Sequence, residues 1–446
     1  MKVVIDRYAW LLKEELTPTQ TLSIKEALTI QPRKLGDFPG DDPEPIELWR
    51  ETDQHLGVPR QFFLNNAKQK HEIIYNYSER ETFDEPLEFA GQLRTEQAAG
   101  VAKVVGDFEG GELGGIVRAA PGWGKTVAVC AIIARLSCPT IVVVHKEFLM
   151  NQWKERIQQF LPEASIGLVQ GDTCDYVDRH IVLAMVQSLS QRVYPPGLYL
   201  YPQLFVTDEV HRIGAETWSP VPAKFSARWR LGVSATPRRK DGADNVFLYH
   251  IGNVVFGATE QRLKVKVKRV WTTFKLVKTD KFNPTLAPRT LVIRFLVNSR
   301  QRNASIVDQL VRAVEAGRKP LVLSERLQHL HMLEEMFTKE WLKKFPDDPK
   351  TTGFYVGGQK EEQRKEAAEA QVIFATSQFA SEGLDIPALD TLLLTTPLSD
   401  VEQAVGRIQR PHPGKKDPIV VDFRDDNIKI FRSSADNRDR LYRRVT

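Results

Sequence analysis

Ala119 to Thr126 read AAPGWGKT, between the strand-like run Gly115-Ile116-Val117-Arg118-Ala119 and the apolar, helical run Val127 to Leu136. A strand, a glycine-bearing loop and a helix in that order make a cradle for phosphate, which commits the chain around it to an α/β fold. Gly122 and Gly124 permit backbone conformations that turn successive N–H groups toward one anion, and the new helix brings its positive N-terminal end to the same point. Lys125 supplies a point charge for β- and γ-phosphates, and the Thr126 hydroxyl can ligate Mg2+. The loop implies a nucleoside triphosphate ligand. Two of its residues depart from the general pattern: Ala119 replaces the first glycine, and Trp123 fills a position often held by a small residue.

A second signal follows. Leu204-Phe205-Val206-Thr207 is a short apolar strand that runs into Asp208-Glu209-Val210-His211, so two carboxylates meet at the carboxyl end of a strand, where open α/β sheets bind ligands. Asp208 is the candidate metal ligand, and Glu209 the group that orients and deprotonates an attacking water. Alone, the pair also reads as a solvated acidic turn. The phosphate loop decides between the two.

The 446 residues suffice for two or three domains. Residues 1–88 are punctuated by Pro32, Pro39, Pro43 and Pro45 and end in a polar, acidic stretch, Ser78 to Glu88, read as a linker. From 89 to 260, strand-like runs (Ile116–Ala119, Ile141–Val144, Ile181–Ala184, Leu204–Thr207, Leu231–Ser234) alternate with helical patterns, the mark of a parallel sheet with helices on both faces. A second series fills 261–446, with strands expected at Pro320–Leu323, Val372–Ala375, Thr391–Thr395 and Ile419–Asp422. The segment from Val265 to Val297 reads as extended strands or a hairpin, inserted at the junction. The fold expected is therefore α/β, two tandem parallel-sheet lobes preceded by a small α+β domain.

Residues 1–88 hold 11 of the 62 basic residues but 17 of the 57 acidic ones, so the positive excess lies on the two lobes. That distribution suits a polyanion contacted by the lobes. No apolar run approaches the roughly 18 residues a membrane helix needs, and the acidic, short-apolar start is wrong for a secretory signal. Cys130, Cys138 and Cys174 lack metal-ligand spacing and read as packing residues in a reducing, cytoplasmic setting.

In the second series, Gln403, Arg407 and Arg410 are spaced i, i+4, i+7, placing all three on one helical face with Gly406 between them. Two guanidinium groups so aligned suit a transferring phosphoryl group, although a solvated basic face has the same spacing. Ser234-Ala235-Thr236 follows a strand and sets two hydroxyls near the Asp208–Glu209 corner; Thr376-Ser377 and Ser381-Glu382-Gly383-Leu384-Asp385 repeat the device in the second series.

From Arg94 to Arg410, about 70% of the chain, the motifs occur in the order of the superfamily 2 helicases and translocases, which the chain resembles. Arg94-Thr95-Glu96-Gln97 resembles the adenine-reading motif. The finer resemblance is to the XPB-like branch, especially the phage UvsW-type branch-migration helicases. It rests on the compact size, on Leu56-Gly57-Val58-Pro59-Arg60 and on Asp208-Glu209-Val210-His211-Arg212-Ile213-Gly214. The resemblance implies two RecA-like lobes closing on ATP and Mg2+, with nucleic acid crossing both. Arg94 and Gln97 would read adenine, and Pro121, Gly122, Trp123, Gly124, Lys125 and Thr126 would hold phosphate, with Thr126 and Asp208 on the metal. Gly383 and Asp385 would join the nucleotide site. Arg407 and Arg410 would complete it, while His211, Ser234, Thr236 and Gln403 couple hydrolysis to lobe movement.

His145, Lys146, Gln187, Ser188, Gly358, Lys360 and Thr376 fall in or beside the family's nucleic-acid motifs, where amides and hydroxyls grip phosphates without reading bases. Arg60, Phe62, Phe63, Lys68 and Lys70 interleave charge with aromatics, as junction binders do, and equally form an amphipathic packing face. The expected activity is ATP-driven unwinding or branch migration of forked and branched DNA by a monomer, in the cytoplasm of a bacterium or a phage-infected cell. RNA helicase, motor of a restriction or nuclease complex, and ATP-gated clamp remain as alternatives.

Overall fold

Short runs of Val, Ile and Leu pair as strands covered on both faces, because apolar side chains that alternate across an extended segment need cover on each side. In the computed structural model, which describes residues 2–33, 43–67, 71–77, 83, 85–120, 122–214, 219–239, 241–258, 263–276, 287–359, 361–377 and 386–446, they build two compact units, Met1–Glu260 and Gln261–Thr446. The first unit contains an eight-stranded sheet. Its spatial order is Thr173–Asp175, Ile166–Gln170, Ile181–Met185, Thr140–Val144, Leu204–Asp208, Trp229–Ser234, Gly114–Arg118 and Val254–Gly257. All neighbours are parallel except the first pair.

Alternation sorts the side chains into two cores. Val117, Val142, Val144 and Val206 face helices Thr95–Glu109, Lys125–Leu136 and Glu147–Phe160, while Ile116, Ile141, Val143 and Phe205 face Phe247 and Ile251 of helix Asp244–Ile251. Parallel pairing aligns the carboxyl ends of Gly114–Arg118, Trp229–Ser234 and Leu204–Asp208 side by side, so the loops that follow them converge.

The N-terminal segment makes its own five-stranded sheet, in the order Arg50–Glu51, His55–Val58, Ala9–Leu12, Lys2–Ile5, Glu72–Tyr75. Its core of Val3, Ile5, Leu11, Leu56 and Val58 runs on into Leu113, Ala243 and Val246, which belong to the larger sheet and its flanking helix. Two buried arginines join the parts. Arg60 donates from Nη1 to Ala227 O (2.8 Å) and Asp6 O (3.3 Å), and Arg230 donates from Nη2 to Arg7 O (3.0 Å). Arg60 is only 1% exposed, so its assignment to nucleic-acid contact is corrected: helix Arg60–Asn66 buries Arg60, Gln61 and Phe63, and the charged-aromatic spacing is that of a packing face. Lys68 and Lys70 lie outside the described residues.

The second unit is a six-stranded, wholly parallel sheet in the order Lys266–Trp271, Ile419–Arg424, Thr391–Leu394, Pro320–Ser324, Val372–Thr376, Thr352–Tyr355. The expectation of extended strands or a hairpin at Val265–Val297 holds for its first part and is corrected for its last. Lys266–Trp271 is an edge strand of this sheet, and Arg289–Val297, whose apolar run suggested extension, is a helix burying Val292, Ile293, Leu296 and Val297. Buried ion pairs Arg302–Asp425 (2.8 Å) and Arg438–Asp422 (2.9 Å) fasten helices Arg300–Glu315 and Lys429–Val445 to the carboxyl-terminal end of strand Ile419–Arg424. The chain thus has two tandem RecA-like parallel-sheet lobes with an N-terminal α+β part.

Candidate ATP site

The phosphate loop leaves strand Gly114–Arg118 and enters helix Lys125–Leu136 through Gly122 (φ 85°) and Gly124 (φ 86°), both left-handed. Glycine is required at 124 by conformation, and a Cβ there, 2.4 Å from Gln97 Nε2, would also displace the Gln97 amide. Lys125 Nζ donates to Ala119 O at 3.0 Å, which keeps the cation over the loop. Pro121 lies outside the described residues.

Arg94 and Gln97 open helix Thr95–Glu109, and both brace the loop. Arg94 N–H donates to Gln97 Oε1 (3.0 Å), Gln97 Nε2 donates to Trp123 O (2.7 Å), and the Arg94 guanidinium donates to the same carbonyl. The departure at Trp123 has a physical reason: its indole is buried, donates to Glu96 Oε2 at 3.0 Å and packs against Phe256 at 5.9 Å. The bulky residue anchors the loop to the helix that frames it.

Strand Leu204–Asp208 delivers the carboxylates. Asp208 accepts from Glu209 N–H on Oδ1 (2.9 Å) and from Trp153 Nε1–H on Oδ2 (3.0 Å). Burial and the neighbouring Glu209 push its carboxyl above the usual range, while Lys125 pulls the other way, which sets the loop cation within electrostatic reach. Glu209 occupies left-handed backbone (φ 50°), a strained conformation for a residue with a side chain. That twist turns it toward Ser234, whose Oγ–H donates to Glu209 Oε2 at 3.2 Å.

Ser234 is fully buried and is the hub of the corner: it also accepts from Thr236 N–H (3.2 Å) and lies 3.0 Å from His211 Nδ1. A serine has one proton to give, and Glu209 takes it, so His211 must carry hydrogen on Nδ1. Burial, then Arg212, pull His211 down to about 4, so at neutral pH it is an uncharged member of the network although Glu209 Oε2 is 3.5 Å away. Arg239 donates to His211 O at 3.0 Å.

The remaining assignments divide. His145 is buried, with its ring pulled down to about 4 by burial; Gln187 Nε2 donates to His145 O (2.8 Å), and Ser188 Oγ accepts from Gly171 N–H (3.0 Å). These side chains tie adjacent strand ends together. Lys146 precedes helix Glu147–Phe160. In the second unit, Gly358 is left-handed (φ 80°) and Thr376 ends strand Val372–Thr376. Helix Glu402–Ile408 carries Gln403 and a buried Arg407, but it stops before Arg410 because Pro411 disfavours helical backbone at the residue before it. Gln403 and Arg407 therefore share a helical face and Arg410 does not, which corrects the three-residue face. Lys360, Gly383 and Asp385 lie outside the described residues.

Sequence reasoning missed Trp153. Its apolar stripe with Leu149, Met150 and Ile157 was legible, yet nothing local announces a partner 55 residues away.

Among the described residues no three His, Cys, Asp or Glu side chains gather as a metal site. Asp208 with the Thr126 hydroxyl nonetheless fits Mg2+, which commonly takes one or two carboxylates and completes its shell with phosphate oxygens and water.

A protein-family model described as "Type III restriction enzyme, res subunit" matches residues 90–239. The whole chain aligns at 28% identity with 86% of the putative ATP-dependent RNA helicase L396 of Acanthamoeba polyphaga mimivirus. At 24% identity, 69% of the chain aligns with 67% of the probable helicase D10 of Escherichia phage T5. Among solved structures, a fragment of a putative HsdR subunit of a type I restriction enzyme from Vibrio vulnificus YJ016 superposes with a TM-score of 0.55 at 19% identity. It covers 77% of this chain and 66% of its own, a likeness of fold. In motif order the chain is similar to the superfamily 2 helicases, and in sequence to proteins named as helicases.

Proposed function

We propose that the protein is an ATP-driven DNA helicase or translocase that unwinds or branch-migrates forked and branched duplexes in replication, recombination or repair. The observation that carries the motor is the Asp208–Glu209 corner, with Glu209 held on Ser234 and Lys125 in electrostatic reach of Asp208. In this reading the loop amides and Lys125 receive the phosphates, and Glu209, aimed by Ser234, takes the proton of the attacking water. Thr126 and Asp208 would hold Mg2+, which would supply charge neutralisation of the phosphates. Gln97 and Arg94 fix the loop beside the adenine, and Gly383 and Asp385 join the nucleotide site. Arg407 and Arg410 offset charge that develops on the transferring group, and His211, Thr236 and Gln403 relay the event.

Nucleic acid is gripped through phosphates by His145, Lys146, Gln187, Ser188, Gly358, Lys360 and Thr376 and their backbone amides. The basic excess of the lobes supports a polyanionic partner. DNA is favoured by the UvsW-type motif spelling and by a family model named for restriction enzymes. RNA is the second reading, favoured by the printed name of the mimivirus relative. A reducing cytoplasm fits the three free cysteines.

The test is ATP turnover by the full chain with single-stranded DNA, linear duplex, a four-way junction and RNA in parallel, alongside strand displacement on each. Stimulation greatest on the junction supports the proposal; stimulation by RNA alone replaces it with the second reading. Lys125→Ala should abolish turnover in a folded chain, and Glu209→Gln should bind ATP but stall.

A further inference from the structure

We propose that Trp153 is a positioning residue for the metal-binding carboxylate, holding Asp208 in the one orientation that presents its free lone pairs to the cation. The inference rests on the reading of Asp208 as a metal ligand and goes beyond it by assigning what fixes that ligand.

The geometry is specific. Trp153 sits on helix Glu147–Phe160, only 1% exposed and packed in the core under the sheet, yet its indole N–H reaches Asp208 Oδ2 at 3.0 Å. The other oxygen, Oδ1, is held by Glu209 N–H at 2.9 Å. A carboxylate offers about four lone-pair positions. With one used on each oxygen by a fixed donor, rotation about the Cβ–Cγ bond is stopped, and one position per oxygen remains for the metal or its water.

An indole N–H donates only, so this bond cannot invert its sense. A phenylalanine would fill nearly the same space and pack the same core, so packing alone does not explain a buried donor aimed at this oxygen. Partners of this kind, one step back from a metal, typically change metal affinity by about 10–100-fold when removed.

Trp229 provides an internal control. It is also buried in the same core, and its Nε1 donates to Phe108 O at 3.3 Å, a bond with no carboxylate in it. The experiment compares the full-length wild type, Trp153→Phe and Trp229→Phe. Binding of a non-hydrolysable ATP analogue is measured by calorimetry in EDTA and again with Mn2+, and thermal melting is recorded for each.

Trp153→Phe should weaken the metal-supported binding about tenfold while its affinity in EDTA and its melting temperature match those of Trp229→Phe. Equal metal-supported affinity in the two variants, or an equal loss with and without metal, overturns the proposal. A wild type whose binding gains nothing from Mn2+ overturns the functional reading itself, and this one with it.

Should Trp153→Phe fail to fold, the unmutated indole still answers. In a chain labelled with 15N at its eight tryptophans, one indole N–H signal should move both in Asp208→Asn and when Mg2+ is added to the analogue-saturated wild type. If no signal responds to both, Trp153 does not hold the carboxylate.

Discussion

Ser234→Ala tests how tightly Glu209, the proposed base for the attacking water, is held. The substitution removes one hydroxyl that donates to Glu209 Oε2 at 3.2 Å, accepts from Thr236 N–H at 3.2 Å and meets His211 Nδ1 at 3.0 Å. It spares the strand, because the Ser234 carbonyl still receives Ala119 N–H. A hydrogen bond to a charged group contributes about 1.5–3 kcal/mol and a neutral one about 0.5–1.5 kcal/mol. Glu209 also carries left-handed backbone, a strain of about 1–3 kcal/mol that the surroundings must hold in place. Losing the tether lets the side chain swing and should lower kcat about 10–100-fold, equivalent to about 1.4–2.7 kcal/mol of activation free energy. The KM for ATP should stay within twofold, since the hydroxyl's partners all lie in the carboxylate corner. Steady-state ATPase at saturating DNA reads both numbers. A raised KM with kcat intact would show that Ser234 supports binding and refute the orienting role.

Gly124→Ala should cost at least tenfold in nucleotide affinity by calorimetry, because it adds a Cβ 2.4 Å from Gln97 Nε2 at φ +86°; wild-type affinity would contradict the cradle. Arg60→Met should leave DNA affinity unchanged while lowering stability by about 1–3 kcal/mol, since the apolar chain fills the space of the cation but leaves the Ala227 and Asp6 carbonyls without their donor; a selective loss of junction binding would restore Arg60 as a contact. Burial holds His145 and His211 at about 4 and His250 and His329 at about 3, against 6.5 for an ordinary histidine. Between those values the unfolded chain binds more protons, so stability falls as pH drops from 6.5 toward 4, by up to about 1.4 kcal/mol per pH unit for each histidine. Melting curves from pH 7.5 to 5 check the sign, and a melting temperature that rises on acidification contradicts it.

What could be read in advance follows the range of the interaction. The phosphate loop was legible because strand, glycines, lysine and helix are contiguous, and the central strands because Thr140–Val144 and Ile181–Met185 are buried along their whole length. Outlying strands such as Ile166–Gln170, second in its sheet, and the edge strand Thr352–Tyr355 escaped notice, being only partly buried. Arg289–Val297 reads as extended from its apolar run, and only its packing against Ile428 and Phe431 selects a helix. Arg60 and Trp153 show the deeper limit. Arginine is expected at the surface and tryptophan in a core, and their roles lie with Ala227 and Asp208, partners that only the fold brings near.

The shared core at the N-terminal sheet also fixes an order of assembly. Val3, Ile5, Leu56 and Val58 are made before the residues that close over them, which include Leu113, Ala243 and Val246. Arg60 waits for Ala227 and Arg230 for Arg7, pairings that span 167 and 223 residues. Closing such long loops is entropically slow to organise. The first sheet of the chain therefore completes its burial only after nearly the whole first unit has been made, and a fragment ending near residue 88 carries an apolar face that its own sequence leaves uncovered.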